Sequence, residues 1–160
     1  MENIPLIKIE FVLTKKDEFD FDREKVSQLL QNKPSRSSPP ILSKGTVRCD
    51  DYRTTKDAFK GITIVNEGNQ PYSLIINASW SKDVVLKSWS IEDVLGKLAE
   101  ELYGKEKIIV DMCKENNLFV SVIFRIYVTD ENFPEISLSK ESVNYLNSLG
   151  ACVDFDIQIQ

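Results

Sequence analysis

Asp154 and Asp156 stand two residues apart near the end of the sequence, and side chains at that spacing on a strand project from one face. A carboxylate pair of this kind could do acid/base work, as in a glycosidase. A second acidic run, residues 17–24 (DEFDFDRE), carries Asp17, Glu18 and Asp20 with Phe19 and Phe21 interleaved. It lacks the glycine and ligand spacing of an EF-hand. Asp50 and Asp51, next to Tyr52, form a third group. Each has an ordinary structural explanation: a salt-bridged sheet face, a helix cap with a solvated loop, and a turn. The functional alternative for all three is an acidic anchor for a protein partner.

Other catalytic chemistry lacks its parts. The sequence has no histidine, which removes Ser-His and Cys-His nucleophiles and an imidazole acid or base. Cys49, Cys113 and Cys152 are far apart, without the paired spacing of a zinc site, and read as reduced thiols acting as small apolar side chains. The six glycines are scattered singly and make no phosphate-binding loop. The expectation is a protein with no enzymatic activity, no cofactor and no metal.

A chain of 160 residues with 42% hydrophobic and 28% charged residues suits one folded domain, residues 1–160, with a core that needs no disulfide. No apolar run approaches the roughly 18 residues of a membrane span. Glu2, Lys8 and Glu10 near the start argue against a signal peptide, so the expected compartment is the cytoplasm. The net charge is −5, distributed as −2 over residues 1–32, +4 over 33–60 and −7 over 61–160. An acidic whole argues against nucleic-acid binding, because phosphate contacts supply most of that affinity. It suits a basic partner.

Residues 6–14 alternate Ile7, Ile9, Phe11 and Leu13 with Lys8, Glu10 and Val12, the period of a half-buried strand. Asp22 caps a helix with Val26, Leu29 and Leu30 on its apolar stripe, and residues 33–40 (KPSRSSPP) read as a loop. A short strand is expected near 46–49, and a hairpin from 61–66 and 72–81, with Trp80 facing the core. Ser90 and Asp93 have the spacing of a capping box ahead of a helix at 91–102, and a second helix follows at 105–115. A strand at 118–129, a helix at 139–149 capped by Ser139, and a strand at 152–159 close the chain. Periodicity places Val143, Leu146, Phe155 and Ile157 in the core. The fold class is α+β: a mixed, mainly antiparallel sheet with helices mostly on one face, ending in a strand–helix–strand unit.

Several runs resemble a bacterial family catalogued as domain of unknown function 4279. They are residues 19–34 (FDFDREKVSQLLQNKP), Lys44-Gly45, Ser79-Trp80, the helix at 91–102 and the closing run 136–159 (ISLSKESVNYLNSLGACVDFDIQI). The closing run is the most specific, with Leu138-Ser139, a helix, Leu149-Gly150 and a strand bearing Asp154 and Asp156. The likeness is patchy from Thr46 to Tyr72, and the tyrosine that often follows the last aspartate is missing. The resemblance supplies no catalytic residues. It implies a small protein, in some members encoded beside polymorphic-toxin genes, that binds and neutralises a cognate toxin.

The resulting expectation is a cytoplasmic immunity protein that docks an acidic surface on a basic bacterial toxin. Asp17, Glu18, Asp20, Asp50, Asp51, Asp154 and Asp156 are its candidate contacts. The alternatives are a small-molecule or peptide-binding module using the polar sheet face, or an enzyme working with carboxylates alone.

Overall fold

The computed structural model describes residues 4–15, 21–38, 41–44, 62–65, 73–76, 79–129 and 133–159. In chain order the elements are β1 (Leu6–Lys15), α1 (Arg23–Leu30), β2 (Arg36–Ser38), β3 (Ile41–Lys44), β4 (Ile62–Val65), β5 (Ser73–Ile76) and β6 (Ser79–Lys87). They continue with α2 (Ile91–Glu101), α3 (Glu106–Asn116), β7 (Leu118–Val128), α4 (Lys140–Ser148) and β8 (Ala151–Ile159). Five strands form one sheet in the order β2-β6-β1-β7-β8, and three form another in the order β3-β5-β4. Among the named strands, the pairings are antiparallel except that of β7 with β8, which run parallel as the strand–helix–strand pattern requires. The α+β class and the mixed, mainly antiparallel sheet agree with the sequence.

The core lies where the odd-numbered residues of β1 meet the helices. Ile7, Ile9, Phe11 and Leu13 are fully buried, as are Val122, Phe124 and Ile126 beside them on β7. Helix α2 packs on β1 and β6 through Ile91, Val94, Leu95 and Leu98, and α3 packs on β7 through Ile109 and Met112. Trp80 sits edge-on to Phe11 at 6.4 Å, and its indole N–H donates to Ser27 Oγ of α1 at 2.9 Å. That bond supplies the buried indole with its acceptor and ties α1 to the sheet.

Helix ends follow local chemistry. The Asp22 carboxylate accepts from Lys25 N at 2.9 Å, and Ser139 Oγ accepts from Ser142 N at 3.1 Å. Ser90 caps α2, accepting from Glu92 N at 3.2 Å, but the reciprocal half of the expected box is absent. Asp93, one methylene shorter than glutamate, accepts the Ser88 hydroxyl instead, and Ser88 Oγ takes the Ser90 N–H at 3.0 Å. The αL backbone at Gly150 (φ 63) ends α4 and turns the chain into β8.

Three expectations need correcting. The strand expected over 72–81 is two strands in different sheets: β5 pairs with β3 and β4, while β6 begins at Ser79 and runs on to Lys87 between β2 and β1. The charges at Lys82 and Asp83 and the run Val84-Val85-Leu86 hide its alternation. The loop expected at 33–40 contains β2, because Arg36, Ser37 and Ser38 find Ser81, Trp80 and Ser79 as ladder partners. The third correction concerns burial. Leu146 is buried as expected, but Val143 is 50% exposed and Phe155 and Ile157 are each 45% exposed. Phe155 and Ile157 stand on β8, at the sheet margin, where helix cover is incomplete. The strand expected near 46–49 lies outside the described residues.

Candidate functional site

Alternation along β1 that buries Ile7, Ile9 and Phe11 turns Lys8 and Glu10 to the opposite sheet face. The ladders then decide their company. Glu10 faces Asp83 across β1 and β6, Lys8 faces Arg125 across β1 and β7, and Arg125 faces Asp156 across β7 and β8. Arg36 reaches in from β2. The result is a chain of ion pairs spanning all five strands. Arg36 Nη2 and Lys8 Nζ each lie 2.8 Å from a Glu10 oxygen, and Arg125 Nε lies 2.9 Å from it. Lys8 also contacts Asp83 at 2.8 Å, and Arg125 Nη1 contacts Asp156 Oδ2 at 2.5 Å.

Glu10 is the hub and is only 3% exposed. Burial alone pushes its carboxyl up. Hydrogen bonds from Lys8 and Arg125, with the charges of Arg125 and Arg36, outweigh that and hold it below the usual carboxylate range. Burial likewise pulls the Lys8 ammonium down, and Asp83 and Glu10 more than offset it, so its pKa is raised. Three cations balance three anions. A carboxylate held ionised in this way is poorly suited to donate a proton, so the network locks the sheet face electrostatically.

Asp154 and Asp156 share the face that their spacing predicted, opposite Ile123 and Arg125. Asp156 is engaged by Arg125 and also accepts from Gln158 Nε2 at 3.0 Å. Asp17, Glu18, Asp20, Asp50 and Asp51 lie outside the described residues. Glu10, Lys8, Asp83, Arg36 and Arg125 were missed as a cluster. Their signal was present only as charges on the polar phase of separate strands, and nothing local specifies which strands become neighbours. Among the described residues, no three Cys, Asp or Glu side chains gather as a ligand set for a metal. Cys113 and Cys152 are free thiols, and burial pushes the Cys113 thiol up to about 11, away from the reactive thiolate.

The other side of β8 is different in kind. Phe155 stacks on Phe124 of β7 at 5.1 Å and 14°, yet it remains partly open, and the row continues through Ile157 to Ile159, which is 63% exposed. β8 is also the margin of its sheet: β7 is its single neighbour among the described residues. It therefore combines a nine-residue strand edge with an incompletely covered apolar row. Natural sheets usually blunt such an edge. The opposite margin is blunt, since β2 has three residues and follows Pro34.

The segment leading into this unit is anchored. Glu92 of α2 accepts the Ser139 N–H at 2.5 Å and the Ser142 hydroxyl at 2.5 Å, serving as a second cap for α4. Glu135 N donates to Trp89 O at 2.6 Å, and Ile91 N donates to Glu135 O at 3.3 Å. These bonds fix the start of α4 to the start of α2, and so help set where α4 and β8 lie.

Residues 66–160 match the family model described as Domain of unknown function (DUF4279). The chain belongs to that family. The matched part runs from β5 through β8 and so contains the open edge, Arg125 and both β8 aspartates; Lys8, Glu10 and Arg36 lie outside it. No curated protein and no solved structure matches the chain. Among the described residues, no helix is long and apolar enough to cross a membrane.

Proposed function

We propose that this protein works by stoichiometric binding, as a cytoplasmic immunity protein that occludes a cognate bacterial toxin without turnover or cofactor. The observation that carries the binding reading is the open margin of β8, where Phe155, Ile157 and Ile159 line one face of a strand whose outer edge has no strand partner among the described residues. Exposed apolar rows on a strand edge are unusual in a chain with no partner, and they supply the area that association needs. The net charge of −5 suits a basic partner and favours rapid encounter. The toxin assignment draws on what the family resemblance implies, small proteins encoded in some members beside polymorphic toxins.

The carboxylate-only enzyme is less well supported, because Glu10 is held ionised and Asp156 is engaged by Arg125. The test is to sequence the genes beside this one and co-express the protein with a toxin encoded there; absence of any such toxin would overturn the immunity reading. Protection of the cell and recovery of a one-to-one complex are expected. Ile157→Thr combined with Phe155→Ser should weaken the complex at least tenfold while the protein remains folded. Failure to protect, or recovery of turnover from the purified protein, would overturn the reading.

A further inference from the structure

We infer that β8 accepts an added strand from its partner, and that this strand alternates basic with apolar residues. The inference rests on the binding reading only in placing the contact at β8, and deepens it by specifying the chemistry of what docks. β8 offers nine residues in strand conformation with no proline, lysine or arginine among them. The devices against edge pairing that are present within the strand are its two aspartates, and these repel acidic strands while leaving a basic one free to add. Backbone pairing would supply affinity, and alternate side chains would supply selectivity.

The two faces of β8 define that selectivity. Positions 153, 155, 157 and 159 are apolar, and Asp154 and Asp156 lie between them. An incoming strand places its own alternate residues beside each row. Aliphatic side chains would cover Phe155 and Ile157, and Lys or Arg would lie across from Asp154 and Asp156. Arg125 and Gln158 both bind Oδ2 of Asp156. A carboxylate has capacity for further donors, so the existing pair leaves room for a second cation from the outer side.

The same residues argue against a second copy of this chain. In a symmetric antiparallel pairing, the register that uses all nine residues sets Asp154 against Asp156 of the copy, twice. Registers centred on either aspartate set it against itself. Like charges directly opposite destabilise a strand pair, and opposite charges stabilise it. The pattern therefore discourages self-pairing and favours a basic strand.

The probe is a capped nine-residue peptide alternating Lys and Val, with a Glu–Val peptide of the same length as comparator. Each is titrated into the unmodified protein, with amide hydrogen exchange read residue by residue. The Lys–Val peptide is expected to slow exchange across residues 151–159 and to bind about tenfold or more tightly than the Glu–Val peptide. In Asp154→Asn, and separately in Asp156→Asn, the preference should shrink by about threefold or more while the thermal midpoint shows the fold intact. Equal binding of both peptides, protection away from β8, or no protection would overturn the inference. Self-association through β8 in sedimentation, strengthened by the asparagine variants, would overturn it in favour of a second copy. Cell protection with exchange at β8 unchanged in the toxin complex would leave the immunity reading standing and remove this one. Peptide addition at β8 without any toxin binding would do the reverse.

Discussion

In β1, Ile7, Ile9, Phe11 and Leu13 alternate with Lys8 and Glu10; in β8, Val153, Phe155, Ile157 and Ile159 alternate with Asp154, Asp156 and Gln158. The β1 row is sealed completely, whereas in β8 Phe155, Ile157 and Ile159 stand open. The residue types and the period are alike, so the difference comes from position. Among the described residues, β1 has strands on both sides and α2 across its apolar row, while β8 has a strand on one side and α4 as its main cover. Alternation fixes which side chains share a face. Sheet order and helix placement decide whether that face meets water.

The largest contrast should appear on truncation. Phe11→Ala should cost about 3–5 kcal/mol, because a fully buried ring leaves a cavity that the sheet cannot close. Chemical denaturation measures it, and a loss near 1 kcal/mol would break the comparison. Glu10→Gln should cost about 2 kcal/mol, since it leaves three cations around an uncharged amide. That is less than the roughly 3–5 kcal/mol typical of a fully buried pair, because Lys8, Arg36 and Arg125 stay partly hydrated.

Within that network, pH sharpens the contrast. Glu10 is held below its ordinary value of 4.5, so its contribution is present above that value and lost as pH falls through the folded pKa. Lys8 is held above its ordinary 10.5, so its contribution is full below that value and lost as pH rises through the folded pKa. Urea midpoints measured across both limits should fall at each end. The acid limb should flatten in Glu10→Gln, and an unchanged acid limb would remove Glu10 from the account.

Smaller effects belong to β8. Phe155→Ala should cost about 1 kcal/mol, mainly through its lost stacking on Phe124. A loss of 3 kcal/mol or more would mean that β8 is as well covered as β1. Ile159→Ser should change stability by less than about 0.5 kcal/mol, as exposed substitutions usually do. Its effect should show instead in reduced binding of an apolar dye, and unchanged dye binding would place the exposed apolar surface elsewhere.

Much of the fold was legible. β1, β7 and β8 carry apolar residues at every second position, and Asp22, Ser90 and Ser139 mark the helix starts, because these signals are carried by adjacent residues. β6 was only partly legible, since its charged middle is engaged instead of exposed: Asp83 pairs with Lys8 across strands and Lys82 with Glu101 of α2. β2 gained its conformation from β6 and carries little signal of its own. For the site, the shared face of Asp154 and Asp156 follows from a two-residue period. The hub at Glu10 does not, because it requires the registers of β1 with β6 and β7, set by distant parts of the chain. The exposure of Phe155 and Ile157 was hidden for the same reason: it depends on β8 being last in the sheet.

The placement of β1 has a kinetic consequence. It precedes every other strand described, yet it occupies the centre of the large sheet, and its residue Leu6 pairs with both Lys87 and Tyr127. During synthesis its apolar row emerges long before either neighbour exists. Loop closure over such separations slows folding, and unpaired apolar strands invite association with other chains in the interval. A nascent chain arrested before β7 should therefore engage chaperones that release it once residues 118–128 have cleared the ribosome.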